Sequence, residues 1–172
     1  MIIFNHTRIA TTALKTVLYK AAKAVGSVRT GGVVVKIAQS LHSHGRAERS
    51  NPFYFRWALA GKEHKGHLLT SIDREPVLSD GGYIFIWLSN FCEPLRAAED
   101  FYSTAAHEWR HIRDFQKGAK FGQYNRNWKN RPHERRAINS SKRAERTKNS
   151  RMDIQDAIIT LGIAIEESRF NS

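Results

Sequence analysis

Acidic residues are missing from the first 47 positions of this chain. Only two, Glu134 and Glu145, interrupt the twelve Lys and Arg between Lys117 and Arg151. Cysteine is almost absent as well. Cys92 stands alone, which excludes an internal disulfide and a cysteine-ligated zinc site, and it reads as a small buried hydrophobe. A reducing compartment is the easier setting, so the expected location is cytoplasmic. No apolar run approaches the roughly 18–20 residues of a membrane-spanning helix. Lysines also break up the apolar residues near the start, so no secretory signal core forms. Arg8, Lys15, Lys20 and Lys23 would suit an amphipathic targeting segment. Leu14, Val17, Leu18, Ala21 and Val25, however, fall at helical spacing, and the segment is read as a packed first helix.

The acid deficit leaves a formal charge of +12, of which +10 lies between Lys117 and Arg151. Such a segment is either a surface for a polyanion or a solvated basic helix. Nucleic acid is the candidate partner for 117–151, with Lys142, Arg143 and Arg146 as candidate contacts.

At 172 residues the chain fits one domain, 1–172, able to bury a core of its own. Helix plus sheet is expected over 11–90. The first helix runs from Thr11 to Val25 and closes at Gly26. Strands follow at Val33–Ala38, at FYFRWALA (Phe53–Ala60), at HLLTSI (His67–Ile72) and, after the Asp80-Gly81-Gly82 turn, at YIFIWL (Tyr83–Leu88). Both faces of the last strand are apolar, so it is read as covered on both sides. Two long helices come next, within 95–148. One covers Leu95 to Lys117 and ends at Gly118; the other starts at Pro132 and runs to Lys148. Between them, Gly118 to Arg131 reads as a loop. Ile154, Ile158, Leu161 and Ile165 mark the buried stripe of a final helix, 152–168. Strands early and helices late make the class α+β.

The second helix contains HEWRH. His107 and His111 are i and i+4, which puts both imidazoles on one face, one turn apart, within reach of a single metal ion. Glu108 is turned about 100° from His107, where its carboxylate can serve as a base toward metal-activated water. Two histidines do not complete a catalytic zinc site, which takes three protein ligands and an open position. RPHERRA (Arg131–Ala137) offers the third. Glu134 lies in the first turn of a helix able to return antiparallel to the HEWRH helix, in register with Ala137, Ile138 and Ser141. Its neighbour His133 is the rival ligand. The paired histidines at 42 and 44, and at 64 and 67, lie in loops with no ligand framework around them. Trp109 reads as packed against a neighbouring helix, and Trp128 as closing a loop or touching substrate.

HEWRH followed by PHERRA resembles the gluzincins, and within them the small minigluzincin-type peptidases of microbes and phages. The resemblance implies a zincin-like fold, a small mixed or antiparallel sheet packed on the HExxH helix and a following glutamate helix. It implies one Zn2+ held by His107, His111 and Glu134, with Glu108 as the general base, and a peptide or protein as substrate. It also implies that YIFIWL is the edge strand that pairs with an extended peptide. Many gluzincins carry an aspartate four residues after the glutamate ligand to orient a histidine. Ile138 stands there in this chain, which leaves Asp114 and Asp100 as alternatives. Tyr124 and His133 are the candidates for stabilising the oxyanion. Two other classes compete. One is a basic nucleic-acid-binding protein whose metal is structural or absent. The other is a DNA-associated protease resembling the Spartan type, which would favour His133 as a ligand.

Overall fold

The structure, a computed structural model, describes residues 1–38, 53–58, 83–88, 93–119 and 132–170. Along the chain these form β1 (Ile2–His6), α1 (Thr11–Val25), β2 (Val34–Ala38), β3 (Phe53–Ala58), β4 (Tyr83–Leu88), α2 (Pro94–Gln116), α3 (Pro132–Asn149) and α4 (Met152–Phe170). The class is α+β, with helix predominating. HLLTSI, the segment 120–131 with Tyr124 and Trp128, the loop histidines and Cys92 lie outside the described residues.

The strands form one sheet in the order β1-β2-β4-β3. β1 pairs parallel to β2, β2 parallel to β4, and β3 antiparallel to β4. A parallel neighbour needs a crossover, and α1 supplies the one between β1 and β2. The Asn5 side chain fixes the entry to that crossover by donating to Ile9 O at 2.7 Å and to Thr11 Oγ1 at 2.9 Å. β1 was not expected from the sequence. Its five residues carry no run long enough to separate a strand from the lead-in to α1.

The edge-strand assignment needs correction. YIFIWL is β4, and β4 lies between β2 and β3 with both of its edges in ladders. An alternation of apolar residues on two faces reports that the faces are covered; it says nothing about whether the edges are free. Among the described residues β3 closes the sheet on that side, and it packs against α2.

α2 is the axis of the molecule, in contact with α1, α3, α4 and β3. The Glu93 carboxylate accepts from Leu95 N (3.0 Å) and Arg96 N (2.8 Å), capping the orphan amides of its first turn, and Pro94 opens the helix. Those two amides hold the Glu93 carboxyl below its ordinary pKa. Gly118, at φ +80°, ends the helix, with Gly118 N bonded to Phe115 O and Ala119 N to Asp114 O. Neighbours on several sides leave α2 buried on most of its circumference. Phe101, Tyr102, Trp109 and Ile112 join Leu14, Val17, Leu18 and Leu161 in the core, and Glu108, His111 and Asp114 are buried with them. α4 buries Ile154, Ile158, Leu161 and Ile165, as the stripe implied. A Cβ on its Gly162 would lie 3.2 Å from Leu95 Cα, so glycine there permits the close approach of α4 to the first turn of α2.

Candidate metal centre

α3 contributes little apolar surface of its own. Its buried residues are His133, Ala137 and Ala144. The two alanines bring α3 close enough to α2 for short polar contacts to form along the seam. Lys148 Nζ meets Glu99 Oε1 at 2.8 Å. Ser103 Oγ lies 2.7 Å from Ser141 Oγ and donates to Glu145 Oε1, also at 2.7 Å. Arg136 Nε donates to Asp114 Oδ2 at 2.8 Å. Residues late in α3 meet residues early in α2, so the helices run antiparallel, as the return of RPHERRA required.

This register delivers Glu134 to the two histidines. His107 Nε2 and His111 Nε2 are 3.1 Å apart, and Glu134 Oε2 lies 3.3 Å from the first and 3.5 Å from the second. Four-coordinate zinc with bonds of about 2.0–2.1 Å would separate neighbouring ligand atoms by about 3.3 Å. The three atoms have the chemistry and spacing of three corners of that tetrahedron. His107, Glu108 and His111 also place ligand atoms within 4.8 Å of one another, a group able to hold a metal ion. Of the two carboxylates, Glu134 is the nearer donor, because Glu108 Oε1 stands 3.9 Å from His107 Nε2.

The electrostatics separate the carboxylates further. Burial raises the Glu108 carboxyl well above its ordinary range, and the charge of Glu134 raises it again. Its Oε2 has no hydrogen-bond partner among the described residues. Burial also works to raise Glu134, but hydrogen bonds from His107 and His111 outweigh it and hold that carboxyl far below the ordinary range. Burial lowers the His111 imidazole, against the opposing pull of Glu134. One carboxylate is thus kept anionic against two imidazoles. The other lies buried at their side, where its proton is held more tightly than usual.

His133 reaches Glu134 through the other oxygen. Its Nε2 is 3.5 Å from Oε1, and its ring packs edge-on against that of His111, centroids 5.7 Å apart. That position suits orienting the glutamate better than replacing it. Among the described residues the partners of Asp114 are arginines. Its buried carboxylate accepts from Arg136 Nε at 2.8 Å, tying the end of α2 to the start of α3, and is ion-paired within α2 to Arg110 Nε at 2.9 Å. Asp100 is raised by partial burial and lies two turns before His107. Ile138 is half-buried. Sequence reasoning missed Arg136 as a positioning residue; its place two residues after Glu134 was the available signal. Lys142, Arg143 and Arg146 are all exposed. Trp109 is fully buried in the core.

No protein-family model, curated protein or solved structure matches this chain. No helix among the described residues is long and apolar enough to cross a membrane.

Proposed function

We propose that the protein is a zinc-dependent metallopeptidase with a zincin-like arrangement of sheet and paired helices. The observation that carries this reading is the triangle of His107 Nε2, His111 Nε2 and Glu134 Oε2, with sides of 3.1, 3.3 and 3.5 Å, beside the buried Glu108. Two imidazoles and one carboxylate are the donor set of a hydrolytic zinc site that leaves one position open. A bound zinc ion would supply Lewis acidity, polarising the scissile carbonyl and making water acidic enough to give up a proton near neutral pH.

The remaining chemistry belongs to the chain. Glu108 accepts the proton of the attacking water and returns it to the departing amine. Its desolvated carboxylate is basic enough for the first step and, once protonated, acidic enough for the second. Glu134 stays ionised and does not compete for the proton. His133 steadies Glu134 from behind. β3, the antiparallel strand beside α2, takes over from β4 as the strand that would line an extended peptide substrate. A closed structural site would need a fourth protein ligand, for which His133, with Nε2 3.5 Å from Glu134 Oε1, is the candidate from the sequence.

The test joins zinc analysis to cleavage of an unfolded protein such as casein. Wild type and Glu108→Gln should each carry about one zinc per chain, while the variant cleaves at least about 100-fold more slowly. Wild-type protein purified without zinc and unable to take it up would remove the reading. Undiminished cleavage by Glu108→Gln would reassign the base.

A further inference from the structure

Away from the metal centre, folding gathers cations from two helices and the junction that follows the second. Arg143, Thr147 and Arg151 recur every fourth residue along α3 and its junction with α4. They face Lys20, Lys23 and Ala24 of α1 across a cleft of about 170 Å³. Lys20 and Lys23 also line an adjoining groove of about 510 Å³, walled by Tyr19, Ser27, Val28 and Thr30. Four positive side chains thus flank the cleft against one acid, Asp153. That acid bonds to Lys20 Nζ at 2.6 Å and to Arg151 at 2.9 and 3.0 Å. Among the described residues Lys23 and Arg143 have no acidic partner, although packing α1 against α3 sets them on one cleft. Like charges left unneutralised in a shared recess are unfavourable unless an anion enters it.

We propose that this cleft and groove form a binding track for the phosphodiester backbone of a nucleic acid, with Lys23 and Arg143 contacting phosphates and the exposed Tyr19 offering a face to a base. Charge complementarity selects the occupant. Spaced cations beside hydroxyls and an exposed aromatic ring match a flexible, single-stranded polyanion. The track divides the three basic residues picked from the sequence: Arg143 lies in it, whereas Lys142 and Arg146 are not among its walls. Arg143 is nine residues beyond Glu134, roughly 13 Å along the helix at 1.5 Å per residue, so the track and the metal centre are separate sites.

The experiment is fluorescence anisotropy with labelled 20-nucleotide DNA and RNA strands and the matching DNA duplex, from about 30 to 200 mM salt. Wild type should bind the single strands, with affinity falling steeply as salt rises. Lys23→Glu/Arg143→Glu should weaken binding at least about tenfold at low salt and flatten the log–log slope by about 1–2. Tyr19→Ala should lower affinity for single strands about fivefold or more and affect the duplex less. The charge-matched pair Lys142→Glu/Arg146→Glu should change affinity far less. All variants should keep the wild-type circular dichroism spectrum and zinc content, which separates failure here from failure of the peptidase reading. If Lys23→Glu/Arg143→Glu unfolds, Lys23→Gln and Arg143→Gln carry the same test singly. The proposal is overturned if wild type binds no nucleic acid at low salt, if it binds only vesicles containing phosphatidylserine, or if the Lys142/Arg146 pair abolishes binding and the Lys23/Arg143 pair does not.

Discussion

His107 Nε2 and Glu134 Oε2 lie 3.3 Å apart, one from α2 and the other from the first turn of α3. A single hydrogen bond or a shared cation would account for that spacing, and mutation distinguishes them. His111→Ala and Glu134→Ala should each weaken zinc binding by more than about 100-fold, beyond the 10–100-fold typical of an outer partner. His133→Ala should lose about tenfold or less, as a residue that orients a ligand. Competition with a chromophoric chelator measures all three. Zinc retained by Glu134→Ala but lost by His133→Ala would exchange their roles.

Glu108 gives a prediction about pH that needs no substrate. Its carboxyl is raised in the folded protein, by burial first and by Glu134 second, so the native state holds its proton more tightly than the unfolded chain does. Stability of the metal-free protein should therefore fall as pH rises above the ordinary value of 4.5, and level off once the native carboxyl has ionised. Glu108→Gln cannot ionise. Metal-free Glu108→Gln should melt higher than metal-free wild type at pH 7, and the gap should close below about pH 4. Equal melting temperatures across that range would show that the carboxylate is not buried at a cost.

Asp153 should behave in the opposite sense. The hydrogen bond from Arg151, and then that from Lys20, hold its carboxyl below the ordinary 3.8. Its contribution is complete above that value and is lost as pH falls through the lower native one. Asp153→Asn should be less stable than wild type near neutrality, with the two converging in strong acid. Thermal melts from pH 7 down to about 2 follow the difference.

Asp114 joins the helices that carry the candidate ligands through Arg136 of α3, and pairs one turn back along its own helix with Arg110. Asp114→Ala should cost about 2 kcal/mol, within the range for hydrogen bonds to charged groups, since it removes the acceptor of Arg136 and the charge partner of the part-buried Arg110. It should also weaken zinc binding about 10-fold by loosening Glu134. Denaturant unfolding and chelator competition report the two effects separately. A stability loss with zinc affinity unchanged would make Asp114 a structural residue alone.

The pieces legible in the sequence are those set by local geometry. The i,i+4 spacing of His107 and His111 fixes a shared face wherever the helix sits, and Pro132 marks where α3 begins, with Glu134 in its first turn. What escaped depends on which elements meet. β1 is short, and a partner strand defines it more than its own pattern does. Apolar faces on YIFIWL could not show that β3 pairs beyond it. The bond between Asp114 and Arg136 follows from an antiparallel register that neither helix encodes alone. Arg143 separates from Lys142 and Arg146 only once α1 is known to pack against α3.

The alanine seam has a consequence for how the molecule opens. A helix docked by Ala137, Ala144 and partly exposed polar bridges excludes little apolar surface from water, and bridges of that kind contribute about 0–1 kcal/mol each. α3 should be the first of these helices to detach in the metal-free protein, with its amides exchanging with deuterium well before those of α2. Zinc joining Glu134 to His107 and His111 would slow that exchange, because binding energy at one end of α3 becomes docking energy for its whole length. The segment that completes the proposed metal centre would then be held in place by the ion it helps to bind.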